Sequence, residues 1–278
     1  MASDPHTGAE APLKFPATIP HKVGGVVFDM FDSTRELGRV FAGTIRYSIW
    51  GKRPKGEVLN QMYQVGNKSL LFVCVTLGCL GMVLVYQILL QVNKITGDTS
   101  QVGAEFIKGM VHAFVPSLTA MMIATRVGAG IAAEIGSMMV TEQVDALRMC
   151  GVEPIEYLIA PRFIAALFMT VVLTMIALAV AILAGAAMAY ASFGVNPTMF
   201  LVFDKVTPGD MVTGFTKAVC FGAAIPVVSG YCGLTTRGGS EGVGSATTRA
   251  VINSSLAVIL LDFILSALSY VFLQSKGL

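Results

Sequence analysis

The amino-acid sequence predicts an all-α membrane protein: an N-terminal amphipathic helix lying in the membrane interface, five transmembrane helices, and a further helix on the cytoplasmic face between the second and third spans. Three observations carry this. The 278 residues are 54% hydrophobic and only 13% charged, whereas a soluble domain carries about 25% charged residues to cover its surface. The apolar residues are gathered into runs longer than the roughly 18 that mark a membrane span. The basic residues are shared very unequally between alternate connections. One large soluble helical domain with an apolar core is the alternative, and the length of the runs argues against it.

The first 24 residues hold Asp4, Glu10 and several prolines, with no basic stretch feeding an apolar one, so they read as a disordered tail and not as a signal or transit peptide. Residues 25–50 are too charged to span. Wound at about 100° per residue, Val27, Met30, Phe31, Leu37, Phe41 and Ile45 share one face, while Asp32, Arg35, Glu36, Arg39 and Arg46 take the other. That pattern suits a helix lying in the interface, with Trp50 as anchor and Lys52, Arg53 and Lys55 behind it. A soluble helix packed on a partner protein has the same pattern.

Five spans follow, at about 69–92, 106–127, 162–192, 210–233 and 251–273. The third is long enough to tilt or project. If the N-terminus is cytoplasmic, fourteen of the 19 Lys/Arg fall on that side, among them Arg126, Arg148, Arg162, Arg237 and Arg249. The remaining five (Lys94, Lys108, Lys205, Lys217, Lys276) fall in the spans or on the far side. The positive-inside rule therefore orients the chain with a cytoplasmic N-terminus and an external C-terminus. The odd span number argues against an inverted duplication of the secondary-transporter kind. Cys74, Cys79, Cys150, Cys220 and Cys232 are odd in number and unpaired in spacing, so neither a disulfide framework nor a metal site is expected. The small residues Gly78 and Gly81 of the first span, and Gly185, Ala186 and Ala187 of the third, permit close helix approach.

Within the spans two charges stand out. Asp262 lies about eleven residues into the fifth span, ~16 Å deep, and Lys217 about seven residues into the antiparallel fourth, ~10 Å from the opposite face. In a hydrocarbon core of about 30 Å these levels nearly coincide. Intramembrane charges are costly and usually paired, so Lys217 and Asp262 are expected to pair across the two spans.

The longest cytoplasmic connection, residues 128–161, predicts a helix over 129–149 ended by Gly151 and Pro154. Glu134, Glu142, Asp145 and Arg148 alternate there with Ile135, Met138, Met139, Val144 and Leu147. Such an acid-edged amphipathic helix suits docking into a groove of a partner protein. A plain solvated helix has the same chemistry, and the residues alone do not separate the two.

Two blocks carry a resemblance to a known family. Ala133-Glu134-Ile135-Gly136, continuing through Thr141-Glu142-Gln143-Val144-Asp145-Ala146-Leu147 to Pro161-Arg162, resembles the signature of the MlaE/YrbE permeases. So does Gly242-Val243-Gly244-Ser245-Ala246-Thr247-Thr248-Arg249-Ala250-Val251, with Ser254-Ser255 and Leu261-Asp262-Phe263 after it. The resemblance runs from about residue 60 to 273. It implies the membrane subunit of an MCE-associated ABC transporter of phospholipid or related lipids, in a bacterial inner membrane with a periplasmic C-terminus. It further implies a homodimer, an ABC ATPase partner that binds ATP and Mg²⁺, and a periplasmic hexamer of MCE-domain proteins, with no nucleic acid involved. Residues 129–149 become, by position, the helix that couples the spans to the ATPase, with Glu134, Glu142, Asp145 and Arg148 as its contacts. The chain has no Gly-x-x-x-x-Gly-Lys-Ser/Thr loop of its own and is expected to be neither an enzyme nor a cofactor binder.

One element departs from the family. Where many members read Arg-Glu-Leu-Gly-Pro, this chain reads His112-Ala113-Phe114-Val115-Pro116, which makes the inner face of the second span less polar. Tyr86, Gln87, Leu90, His112 and Phe114 are the positions expected near a lipid cavity. His112 could meet a phosphate or serve as a structural hydrogen-bonder. Two other readings remain beside the permease: a stand-alone secondary transporter or channel, which wants more intramembrane acids, and a non-transporting scaffold, for which the acidic cytoplasmic helix has no use.

Overall fold

The computed structural model describes residues 35–48, 56–95 and 101–276, with side chains to 271. Among these residues every regular element is helical. We number them α1 (35–48), α2 (Glu57–Ile95), α3 (Val102–Val140), α4 (Gln143–Met149), α5 (Ile155–Phe193), α6 (Pro197–Phe200), α7 (Pro208–Leu234) and α8 (Gly239–Lys276). Five of them, α2, α3, α5, α7 and α8, are long and apolar enough to cross a membrane. The chain divides into two compact units at Arg39–Val40, and of the first only the opening turn of α1 is described. Val27, Met30, Phe31, Trp50, Lys52, Arg53 and Lys55 lie outside the described residues. In the second unit, Val40 packs on a cluster of Ile131, Ile135, Val144, Leu158 and Ile159, and Thr44 is fully buried. Phe41 and Ile45 remain exposed, as an apolar face turned to lipid requires.

The spans are longer than the apolar runs. The 39 residues of α2 extend ~58 Å, against a hydrocarbon core of about 30 Å. Its polar first turns stay helical through i,i+4 pairs, Gln61 to Glu57 at 2.9 Å and Lys68 to Gln64 at 2.7 Å. The α2–α5 contact is built on small residues: a Cβ added to Gly81 would stand 2.5 Å from the Ala181 carbonyl oxygen. Around it Val73, Leu77, Val85 and Leu89 of α2 close on Phe106, Ile107 and Met110 of α3 and on Ala177, Ala181 and Ala186 of α5. Further along α3, Ala120, Ile123 and Ala124 meet Leu173, Phe221, Ile225 and Val258. The span α3 contributes to both clusters and to the one beneath α1.

Proline shapes two of these helices. Pro116 and Pro161 each follow a wider, π-helical turn, Met110–Phe114 and Ile155–Ile159 respectively. A proline has no N–H to give and its ring crowds the preceding carbonyls. The wide turn shifts the hydrogen-bond register by one residue, so that Val115 N–H reaches the Met110 carbonyl and Ala160 N–H the Ile155 carbonyl just before each ring. A third π-helical turn, Ala124–Gly128, absorbs the small-residue stretch after the hydrophobic part of α3. At its end the missing side chain of Gly128 admits Ser229, whose Oγ would lie 2.8 Å from a Cβ.

That turn corrects one expectation. Residues 129–149 are not one separate cytoplasmic helix. Ala129–Val140 is the continuation of α3, and the break falls at Glu142, which has φ 59 and is the one non-glycine residue with positive φ among those described. Gly128 is used for close packing on α7 and Gly130 lies open, and the helix runs through both. Helices commonly end in a left-handed residue that is glycine or asparagine, and a glutamate gives no such signal in sequence.

The small-residue contact is testable. Gly81→Leu should lower the thermal stability of the purified protein by roughly 1–3 kcal/mol, the cost of overpacking. Gly130→Ala, with nothing within 4 Å of its Cβ, should be neutral or stabilising by about 1 kcal/mol from helix propensity. Equal effects of the two would mean that the α2–α5 approach is not tight.

Candidate functional site

The intramembrane polar residues collect where α3, α7 and α8 meet. Lys217 is fully buried, and its Nζ stands 2.9 Å from Oδ1 of Asp262 and donates to Ser266 Oγ at 2.8 Å. The same Asp262 oxygen accepts from Ser117 Oγ at 2.8 Å, which ties α3 into the group. One turn toward the start of α7, Thr213 and Ser269 share a hydrogen bond of 2.7 Å. The sequence reading named only the two charges. Their neighbours had a readable signal, because Thr213 precedes Lys217 by four residues and Ser266 follows Asp262 by four, which puts each pair on one helix face. Ser117 had no such signal, since only the tertiary packing brings it to Asp262.

A second group closes the N-terminal end of α7. Thr207 and Asp210 cap that helix reciprocally, the Asp210 N–H donating to Thr207 Oγ1 at 3.2 Å and the Thr207 N–H to Asp210 Oδ2 at 3.0 Å. The other Asp210 oxygen lies 3.1 Å from Nδ1 of His112, in the π-helical turn of α3. His112 is thus turned to a carboxylate of its own chain.

The remaining cavity positions expected from sequence do not converge. Tyr86, Gln87 and Leu90 lie on the exposed side of α2, with Tyr86 stacked on Phe193 at 5.9 Å, and Phe114 is 49% exposed. None of these, nor His112, lines the apolar pocket of about 290 Å³ that opens between α3, α5 and α7. Its wall includes Val111, Pro116, Thr174, Leu178, Met211 and Phe215. The physical reason is the helical phase: Val85 and Leu89 occupy the buried face of α2, which turns their neighbours outward.

The cytoplasmic residues part company as well. Glu134 forms an ion pair with Arg162 of α5, Oε1 to Nη2 at 2.8 Å. Glu142, Asp145 and Arg148 are grouped at the joint beyond α3, exposed, with Asp145 and Arg148 paired at 3.0 Å. Val144 anchors the short α4 against Ile131, Ile135 and Ile159. Arg126, at the level where α3 leaves the apolar layer, reaches Ser69 of α2 at 2.5 Å.

A bundle of five spans, a polar network within it and a surface joint continuous with one span define a polytopic membrane protein of the permease class. Residues 58–268 match the family described as Permease MlaE, and the chain belongs to that family. It is 37% identical over 235 residues to a probable ABC transporter permease of Synechocystis, covering 84% of this chain and 88% of that one. To the intermembrane phospholipid transport system permease protein MlaE of Haemophilus influenzae it is 32% identical, over 89% of this chain and 96% of the relative. It is 34% identical to the chloroplastic protein TRIGALACTOSYLDIACYLGLYCEROL 1 of Arabidopsis thaliana, over 86% and 68% of the two chains.

The pair of charges gives a double-mutant test. Lys217→Met leaves a carboxylate in the membrane without its cation and should cost about 3–5 kcal/mol in thermal unfolding of the purified protein. Lys217→Met/Asp262→Leu should recover most of that loss. If the double variant is as damaged as the single, the two charges are not energetically coupled.

Proposed function

We propose that this permease is the membrane subunit of an ABC transporter that moves phospholipid or a related lipid between the inner membrane and the periplasm or outer membrane. A separate ATPase, binding ATP and Mg²⁺, drives it. Family membership and the similarity to the Haemophilus intermembrane phospholipid transport permease support the lipid class. The sequence resemblance further supports a homodimer and a periplasmic MCE-domain hexamer as partners. The distribution of Lys/Arg supports a cytoplasmic N-terminus and a periplasmic C-terminus.

One observation carries the coupling mechanism. The helix α3 runs without interruption from Ser117, in the polar network, to Val140, and the chain then turns sharply at Glu142. A left-handed residue other than glycine or asparagine costs of order 1–3 kcal/mol and marks a switch or a clamp. Closure of the ATPase dimer presses on the Glu142–Arg148 joint. As a rigid rod, α3 carries that displacement to Ser117 and so to the Lys217–Asp262 pair between α7 and α8. A conformational change requires contacts that differ between states, and the exposed charges Glu142, Asp145 and Arg148 supply them on the cytoplasmic side. Glu134 pairs with Arg162 and, with its side chain 62% exposed, stays open to the same partner. The second copy meets this one along α8, where only 11% of the apolar stretch is buried within the chain and Asp262 remains 30% exposed. A carboxylate facing plain lipid is costly, and a polar chamber shared by two copies removes that cost.

The test is reconstitution with the co-purified ATPase in proteoliposomes. Glu142→Lys/Asp145→Lys should leave the subunits folded while lowering lipid transfer at least tenfold and abolishing transport-linked ATPase stimulation. Glu142→Gly keeps the turn and removes its charge, so it separates backbone from electrostatics. Full transport in both variants would remove the joint from the mechanism.

A further inference from the structure

A small pocket on the cytoplasmic side, away from the polar network, has the chemistry of a headgroup site. It has a volume of about 140 Å³ and is lined by Glu57 and Gln61 of α2, Glu134 and Met138 of α3, and Tyr157, Leu158, Pro161 and Arg162 of α5. Arg162 is 5% exposed, and of its two terminal nitrogens only Nη2 has a partner, Glu134; Nη1 has none. A guanidinium with an unused N–H in a buried setting wants an acceptor, and leaving it unmet is expensive. Glu57, bonded to Gln61, and Glu134 both act electrostatically on Arg162 across this space.

We infer that the pocket holds a phosphate that carries an ammonium group, the zwitterionic headgroup of an aminophospholipid. The inference adds a site to the permease and does not depend on the transport path. The charges decide the class of ligand. One arginine and two glutamates leave the pocket with a net charge of −1, so a bare phosphate or an anionic headgroup would add like charge to it. A cation alone would satisfy the glutamates but not Arg162. A zwitterion meets both: its phosphate oxygen accepts from the Arg162 guanidinium, and its ammonium donates to Glu57 and Glu134.

Size and level agree. The pocket is smaller than the roughly 300 Å³ at which sites for drug-sized ligands begin, room for a headgroup whose acyl chains stay in the bilayer. Arg162 is the last charged residue before an uncharged stretch from 163 to 193, and Glu57 opens α2. The pocket therefore opens at the polar boundary of the membrane, cytoplasmic in the proposed orientation. Tyr157, half exposed at its mouth, is the kind of side chain that settles at headgroup level.

The experiment follows the thermal midpoint of the purified complex in detergent as phosphatidylethanolamine, phosphatidylglycerol, glycerophosphoethanolamine or inorganic phosphate is added. Phosphatidylethanolamine and, more weakly, glycerophosphoethanolamine should raise it; phosphatidylglycerol and phosphate should not. Glu57→Gln keeps the Arg162–Glu134 pair, so the fold survives, and it should weaken the phosphatidylethanolamine effect about tenfold, the worth of one charged hydrogen bond. Arg162→Gln should abolish the effect; if that variant does not fold, Glu57→Gln decides. Equal shifts with both lipids would mean unspecific solvation. A full response to phosphate alone would mean a free-anion site. No response to any lipid would leave the pocket to a partner's side chain, and an unchanged Glu57→Gln would remove the ammonium contact. Each of these four outcomes overturns the proposal.

Discussion

Inside a bilayer no water is available to a stray N–H, carbonyl or charge, and this constraint governs the structure at every level. It leaves helices as the spanning elements. It makes each proline a local problem, met at Pro116 and Pro161 by a wide turn just ahead of the ring. It also makes Lys217 the most demanding side chain in the molecule, because a fully buried ammonium must find all its acceptors within the protein. Asp262 and Ser266 meet that demand from α8, and Ser117 brings α3 to the same carboxylate. The relative positions of three spans are thereby fixed by polar contacts, where apolar packing alone would tolerate sliding.

The same reasoning explains why α3 matters more than its neighbours. It touches Asp210 through His112 near its first turns, Asp262 through Ser117 in the middle, Ser69 through Arg126 further along, and Arg162 through Glu134 near its far end. Four polar contacts on one helix, made to four different helices' residues or caps, turn it into the axis of the bundle. Two of the four contacting residues, His112 and Arg126, sit in π-helical turns. Each turn shifts the phase of the side chains that follow, so a helix with a single regular period would not aim all four at their partners. Such turns also concentrate at functional sites, and here they flank the segment that passes the polar network.

How much of this the sequence made legible follows from the physics of each feature. Composition and run length determine the number of spans, since hydrophobic thickness is a one-dimensional quantity, and the five spans were readable in order. The ends were not, because amphipathic extensions such as 57–68 of α2 keep helical hydrogen bonds without being apolar. The Lys217–Asp262 juxtaposition was readable because depth in the bilayer converts residue number into height. Ser117 was not, because azimuth about the bundle is a property of packing. The break at Glu142 escaped for a different reason: a left-handed glutamate carries no compositional mark, while Gly128, which does, is spent on close contact with α7. Arg162 appeared in sequence only as one basic residue among many and as part of a motif, and the structure supplies its physical content, a buried guanidinium whose Nη1 has no partner.

The chemistry of the second span sets what such a permease can do with a lipid. With His112, Ala113 and Phe114 ahead of Pro116 in α3, the charges held within the polar groups of the bundle are Asp210 and the Lys217–Asp262 pair, with Lys108 and the Lys205–Glu105 pair at the same end as Asp210. Asp210 is occupied by its own helix cap and by His112. Lys217 is sealed. Asp262 alone retains exposure, toward the uncovered side of α8. A headgroup passing along that side meets one carboxylate oxygen and a set of hydroxyls, a surface that recognises hydrogen-bond donors weakly and anions not at all. Weak recognition suits translocation, because a carrier that held its cargo tightly in mid-membrane would have to spend the partner's ATP on release. Selection among headgroups is then better placed at the membrane boundary, where Arg162 and Glu57 stand, than in the path itself.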